Sequence, residues 1–320
     1  MSRSVRAIVG AVILSASSAA AAPAFPTKPV HLIVPNQPGG AVDILARLLQ
    51  NPLQEAWKQP VIVEYKPGAG TVLGTDYVAK SPPDGHTICL VVTSHVINPS
   101  VRKNMPFDTV KDLSGITMLA VSHILISATP SLPASNMAEL IALAKKQPDT
   151  LNYASPGSGS SMHLTMELLK RDAGMDILHV PFKGSGGAYG EVMSGRIQLL
   201  VDPLFSSLSY IRSKKLKPIA IASPKRSPIA ADIPAIAETL PGFNVQSIFG
   251  AVVPSATSRE IVHKINADVV AVLRNPEVRK RMTEIGLEPV GTSAEEFDAF
   301  IRAEIPKWAK VVQEAHITAE

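Results

Sequence analysis

Two glycine-rich turns carry the residues best suited to chemistry in this chain. One is Val34-Pro35-Asn36-Gln37-Pro38-Gly39-Gly40 and the other is Ala154-Ser155-Pro156-Gly157-Ser158-Gly159-Ser160. Each follows a short apolar run and opens an amphipathic one. Glycines at such a place leave backbone N–H groups uncovered. The first turn of a helix has N–H donors without intrahelical partners and about half a positive charge, so it attracts anions. Two such starts facing each other across a cleft would hold a carboxylate without an arginine. Each charge-assisted hydrogen bond would contribute roughly 1.5–3 kcal/mol. The plain alternative is two ordinary tight turns, with Ser160 capping its helix.

In open α/β sheets, ligands bind outside the carboxyl ends of the strands. Asn36 and Gln37 follow the strand-like run Val30–Val34, and Ser94 and His95 follow Ile88–Val92. Ser155 follows Leu151–Ala154, Lys183 and Gly184 follow Ile177–Phe182, and Asp202 follows Leu199–Val201. Asp43 falls in the first turn after Gly40, as a dipole partner or as the residue that fixes the Gly39-Gly40 loop. His163 stands in the same position after Ser160, as a structural hydrogen bonder or a ligand contact. Lys183 reads as a solvated turn residue or as a positive charge for the cleft. Asp202 ends an apolar strand, where an unpaired carboxylate is costly to bury. It either accepts a hydrogen bond from a ligand or caps a local turn.

Signatures of catalysis and cofactor binding are absent from the sequence. There is no G-x-S-x-G, H-E-x-x-H or Walker A pattern. The eight histidines lack metal-ligand spacing, and the single cysteine, Cys89, lies in an apolar run and reads as a buried hydrophobe. Gly68-Ala69-Gly70-Thr71-Val72-Leu73-Gly74 follows a strand and resembles a dinucleotide turn with one extra residue. No acidic residue ends a second strand about 20 residues on, as that motif requires. Close helix–strand packing is the reading of that turn. No catalytic residue, metal or cofactor is therefore expected.

The elements that position these turns alternate between strand and helix, which argues for parallel α/β sheets. Val42, Leu45, Leu48, Leu49 and Leu53 recur at helical spacing after Gly40, although Pro52 within that pattern should kink or break the helix. Ser258–Leu273, Pro276–Ile285 and Ala294–Glu314 read as three closing helices. Two apolar stretches, Ile116–Ser127 and Val245–Val253, are long enough to cross between lobes. The expected organisation is lobe one at 25–122 and 248–320, and lobe two at 123–247. Residues 1–24 read as a secretory signal: Arg3 and Arg6, then an uncharged apolar run from Ala7, then the small-residue site Ala22-Pro23-Ala24. Its apolar core is shorter than the roughly 20 residues of a membrane-spanning helix.

Composition supports an ordered, exported α/β protein. Of 320 residues, 46% are hydrophobic and 18% charged, which excludes intrinsic disorder. The formal charge of +4 is scattered, and removing the signal leaves 29 of the 31 basic residues against 27 acidic ones. Nucleic-acid binding has no support in such a balance.

Taken in order, the motifs resemble the substrate-binding proteins of tripartite tricarboxylate transporters, the Bug receptors. The resemblance runs from Phe25 to the C-terminus. It is carried by Phe25-Pro26-x-Lys28-Pro29, Val34-Pro35 with Pro38-Gly39-Gly40 and Asp43, and Val63-Glu64 with Pro67-Gly68-Ala69-Gly70. Pro83-Asp84-Gly85, Ile97-Asn98-Pro99, Leu151–Ser155, Gly157–Ser161 with His163, and Val180–Gly184 continue it, as do Pro276–Arg279 and Pro289–Gly291. The resemblance implies a type II periplasmic-binding fold: two Rossmann-like lobes on a hinge, closing on a small carboxylate. It implies ligand contacts from Pro38, Gly39, Gly40 and Asp43, and from Ser155, Gly157, Ser158, Gly159 and His163, with Lys183, Gly184 and Asp202 as wall residues. Asn36 stands where the family often has Phe, which implies a more polar pocket floor. The expected role is a monomeric periplasmic receptor serving a membrane permease. The alternatives are a sensor partner of a signalling protein, or an exported hydrolase pairing Ser155 or Ser158 with His163.

Overall fold

The computed structural model describes residues 25–315 and 317, apart from 149, 183 and 184. The expected signal at 1–24, and Lys183 and Gly184, lie outside the described residues. The chain begins β1 (Val30–Val34), α1 (Ala41–Trp57), β2 (Val61–Tyr65), α2 (Val72–Ala79), β3 (Thr87–Val92), α3 (Ser94–Val101) and β4 (Leu113–Ser122). It continues β5 (Ile124–Ala128), α4 (Met137–Lys146), β6 (Asn152–Ser155), α5 (Ser161–Ala173), β7 (Leu178–Pro181) and α6 (Gly186–Met193). Then come β8 (Leu199–Pro203), α7 (Leu204–Arg212) and β9 (Lys217–Ile221). It ends with β10 (Ser247–Pro254), α8 (Arg259–Arg274), α9 (Pro276–Glu284), β11 (Leu287–Pro289) and α10 (Ala294–Glu314).

These strands form two sheets, ordered β11-β4-β10-β3-β1-β2 and β7-β6-β8-β5-β9. Helices cover both faces of the first. Val30, Leu32 and Val34 of β1 point to the side of α1, α8 and α9, and Ile33 points to the opposite core. Burial on both faces is why β1 reads as an almost unbroken apolar run rather than an alternating one.

The sheets are mixed rather than purely parallel, which corrects the sequence expectation. β10 runs antiparallel to β3 and β4, and β5 runs antiparallel to β8 and β9. The reason is topological. β4 ends at Ser122 and β5 begins at Ile124, so His123 alone separates the two sheets. Ile124 pairs with Pro203 at the carboxyl end of β8, and Ser122 pairs with Ser247 at the start of β10. A strand arriving from the other lobe enters at the carboxyl ends of its new neighbours and must run against them. The carboxyl ends of β1, β3, β6, β7 and β8 therefore all face the crossover between lobes.

The crossover is braced by polar contacts. Leu204 N–H donates to the His123 carbonyl at 2.8 Å. His123 Nε2 lies 2.8 Å from Glu288 Oε1, which also accepts from Ser227 Oγ at 2.7 Å. At its far end α10 reaches α5 through Arg171 and Glu314, 2.7 Å apart.

α1 continues unbroken across Pro52. The missing N–H there is outweighed by the buried stripe Leu45, Leu49, Leu53 and Trp57 on the same helix. Burying each such side chain is worth roughly 1.5–3 kcal/mol, against roughly 3 kcal/mol for the proline. Gly74 bears out the packing reading of its turn. A Cβ there would fall 2.8 Å from both the Lys66 carbonyl oxygen and Pro35 Cβ.

Candidate functional site

The loop after β1 is an exposed backbone surface held from below. Gln37, Pro38, Gly39 and Gly40 are exposed, and Asn36 is half-buried with its Oδ1 buried and unpartnered among the described residues. Gly39 has φ +90°, in the left-handed region that favours glycine. Gly40 is the N-cap of α1, and among the described residues no side chain caps that helix start. The buried Asp43 fixes the loop. Its Oδ2 accepts the Gly39 N–H at 2.7 Å, while Oδ1 accepts Tyr65 Oη–H at 2.6 Å and Arg47 Nε–H at 2.8 Å. Burial alone would raise this carboxyl, but the hydrogen bonds from Tyr65, Gly39 and Arg47 outweigh it and hold it below the usual range. Asp43 is thus committed to the loop, and the uncapped amides at the start of α1 remain available.

The loop after β6 is organised differently. Ser160 Oγ accepts the His163 N–H at 3.2 Å and so caps α5. Gly159 N–H donates to His163 Nδ1 at 3.0 Å, and Gly157 N–H donates to Ser155 Oγ at 3.2 Å. Opposed bare helix starts in α1 and α5 are therefore not what the structure contains: α1 is open and α5 is capped. Of this loop, Ser158 is the exposed residue.

Beneath it lies a stack of aromatic groups. The His163 and His179 rings are 3.9 Å apart, and Tyr153 stacks on His179 at 4.8 Å. Ser155 Oγ lies 2.7 Å from His179 Nε2. Ser155 is fully buried. The pairing of Ser155 or Ser158 with His163 that the hydrolase alternative needs is not found among the described residues: His163 Nδ1 accepts from Gly159 and Ser155 faces His179. His179 was missed from the sequence because its contacts depend on the pairing of β6 with β7.

Asp202 is fully buried at the end of β8. Both its oxygens are taken, Oδ1 by the Ser185 hydroxyl and Oδ2 by Tyr189 Oη–H at 2.5 Å. Burial pushes its carboxyl up to about 6, against these two hydrogen bonds. Of the two sequence readings of Asp202, these contacts favour the local one, a brace for the start of α6. With the Ser185 hydroxyl turned to Asp202, α6 has no side-chain cap among the described residues and opens on Gly186-Gly187-Ala188. That triplet repeats the Gly39-Gly40-Ala41 pattern after β1, a signal the sequence reading passed over. Ser94 opens α3 at the end of β3, and its Oγ lies 2.8 Å from Thr71 Oγ1.

Three histidines should make the folded state lose stability in acid. Burial pushes His95 and His163 down to about 4, with Lys170 adding to the effect at His163. Burial, then the neighbouring His163, does the same to His179. Each is neutral when folded but takes a proton near 6.5 when unfolded, so stability is lost as pH falls from about 6.5 towards 4. Asp202 acts in the opposite sense over pH 6 to 4, and one group offsets only part of three. Thermal melts at pH 7.5, 6 and 4.5 should show a progressive fall in midpoint. A flat profile would contradict this account of the three histidines.

The two sheets and the helices that cover them make a two-lobed α/β fold, with the loops described above at the carboxyl ends of its strands. The profile of the tripartite tricarboxylate transporter family receptor matches residues 45–317. BugT of Bordetella pertussis is 33% identical over 313 residues, covering 96% of each chain. R. palustris Rpa4515, solved with adipate, is 34% identical, with a TM-score of 0.78 over 92% of this chain and 99% of its own. MatC from Rhodopseudomonas palustris, solved with bound malate, is 30% identical, with a TM-score of 0.74 over 90% and 100%. The chain belongs to the tripartite tricarboxylate transporter receptor family. Members of this family are solute-binding receptors and not enzymes.

Proposed function

We propose that this protein is a periplasmic receptor that holds a small organic carboxylate between its lobes and delivers it to a tripartite-type membrane permease. The lobes are taken as 25–122 with 248–320, and 123–247. The observation that carries the reading is the uncapped start of α1, presented by an exposed Gly-Gly loop that Asp43 holds in place. A carboxylate on the amides of the first turn gains charge-assisted hydrogen bonds and the helix dipole together. The uncapped start of α6 supplies the second-lobe counterpart. Ser158 and Ser94 add hydroxyl contacts, and Asn36 offers a polar floor. Asp43, His163 and Asp202 act as positioning residues beneath these loops. The relatives solved with adipate and malate support the carboxylate class. Closure of the lobes on the ligand presents one bound shape to the permease.

The test is calorimetric titration of the purified protein against dicarboxylates, tricarboxylates, amino acids and aromatic acids. The reading predicts saturable one-to-one binding of at least one carboxylate, recovered unchanged after incubation. Absence of binding across the whole panel, or turnover of the ligand, would contradict it.

A further inference from the structure

A groove of about 850 Å³ separates the lobes beside the candidate site. One wall belongs to lobe one: Ala41 and Ile44 in the first turns of α1, and Ile285 just beyond α9. The facing wall belongs to lobe two: Phe205 and Leu208 of α7, and Ile229 after β9. Phe205 also packs against Gly286, where a Cβ would fall 2.3 Å from Phe205 Cβ, so the lobes already touch at one end of the groove. Ile44 is 37% exposed, a large apolar side chain turned to open space. Arg212, Lys280 and Glu284 also line the groove, with cations in excess.

The groove adjoins the start of α1: Ala41, the residue after Gly40, lines it. We infer that it takes the apolar body of the ligand whose carboxylate sits on the start of α1. The receptor then selects acids with an extended apolar chain over short hydroxylated ones. This rests on the carboxylate reading above and adds the substrate class. The volume lies within the 300–1,000 Å³ of small-molecule sites. Ser209 and Thr283 are the hydroxyl-bearing residues of the lining, whereas Ile44, Leu208 and Ile229 offer a ligand hydroxyl no side-chain hydrogen bond. An alkyl chain replaces water against the same side chains at a gain. The surplus of cations suits a second anionic group at the far end.

The probes are straight-chain α,ω-dicarboxylates from succinate to suberate, titrated by calorimetry at one pH and ionic strength. Affinity should rise with chain length, by at most about fourfold per methylene, and at least tenfold across the series. Ile44→Asp on one wall and Leu208→Ser on the other should each flatten this gradient. The readout is the ratio of suberate to succinate affinity, which a uniform loss of binding does not move. Equal affinity for succinate and suberate would overturn the inference and leave the carboxylate reading standing. A gradient that survives both substitutions would also overturn it, as would a closing seam. That seam would appear as an unchanged gradient with the Ile44→Asp protein shifted towards the open form in small-angle scattering. Failure of every carboxylate in the wider panel would remove the carboxylate reading itself.

Discussion

Gly40→Val should lower ligand affinity at least about 100-fold while leaving the protein folded. The reasoning begins with space. Gly40 has φ −85° and ψ 174°, an extended conformation open to any residue, and an added Cβ would meet only the Gln37 carbonyl oxygen at 4.0 Å. The fold therefore accepts the side chain. The ligand site does not, because the two γ-methyls would stand over the uncapped amides that a carboxylate must approach. Charge-assisted hydrogen bonds are worth roughly 1.5–3 kcal/mol each. Loss of two amounts to about 3 kcal/mol or more, which is at least two orders of magnitude in affinity. Calorimetry and a thermal melt on the same preparation separate the two effects. Unchanged affinity would remove the start of α1 from the site.

Asp43→Ala should act through the loop. Asp43 is 5% exposed and joins Gly39, Tyr65 and Arg47 in one cluster. Without it the Gly39 N–H loses its anchor, and Pro38, Gly39 and Gly40 are free to move. Fixing one residue's backbone costs roughly 1–2 kcal/mol. Binding must then supply that ordering for each freed residue, and affinity should fall ten- to a hundredfold. Stability should fall by about 2 kcal/mol, in line with lost hydrogen bonds to a charged group. The loss stays moderate because the Arg47 side chain is largely solvated and Tyr65 Oη still receives Arg47 Nη2–H at 2.6 Å. Asp43→Asn, which keeps an acceptor for Gly39, should recover part of the affinity. Parental affinity in Asp43→Ala would show that the loop needs no anchor.

What could be read from the sequence was local. The strand Val30–Val34, the Gly39-Gly40 turn and the helix with Asp43 in its first turn form one continuous segment, so their spacing already implies their geometry. Ser160 as a cap is likewise a matter of three residues. The rest depends on pairings across the chain. Whether Asp202 faces a ligand or turns inward is decided by Tyr189 and Ser185, which reach it only once α6 packs on β8. His179 meets Ser155 and His163 only because β7 lies beside β6. β5 and β10 run antiparallel because of where the chain crosses, and periodicity carries no strand direction. Pro52 misled for a related reason: local propensity cannot weigh the buried stripe that keeps α1 whole.

The central claim is that a carboxylate rests on the first turn of α1. Backbone amide resonances of the uniformly labelled protein, followed through a titration with a carboxylate that binds, test it most directly. The account predicts that the largest changes fall on Gly40, Ala41 and Val42, with slowed hydrogen exchange at those amides. Large changes confined to lobe two, with these three amides unmoved, would contradict it.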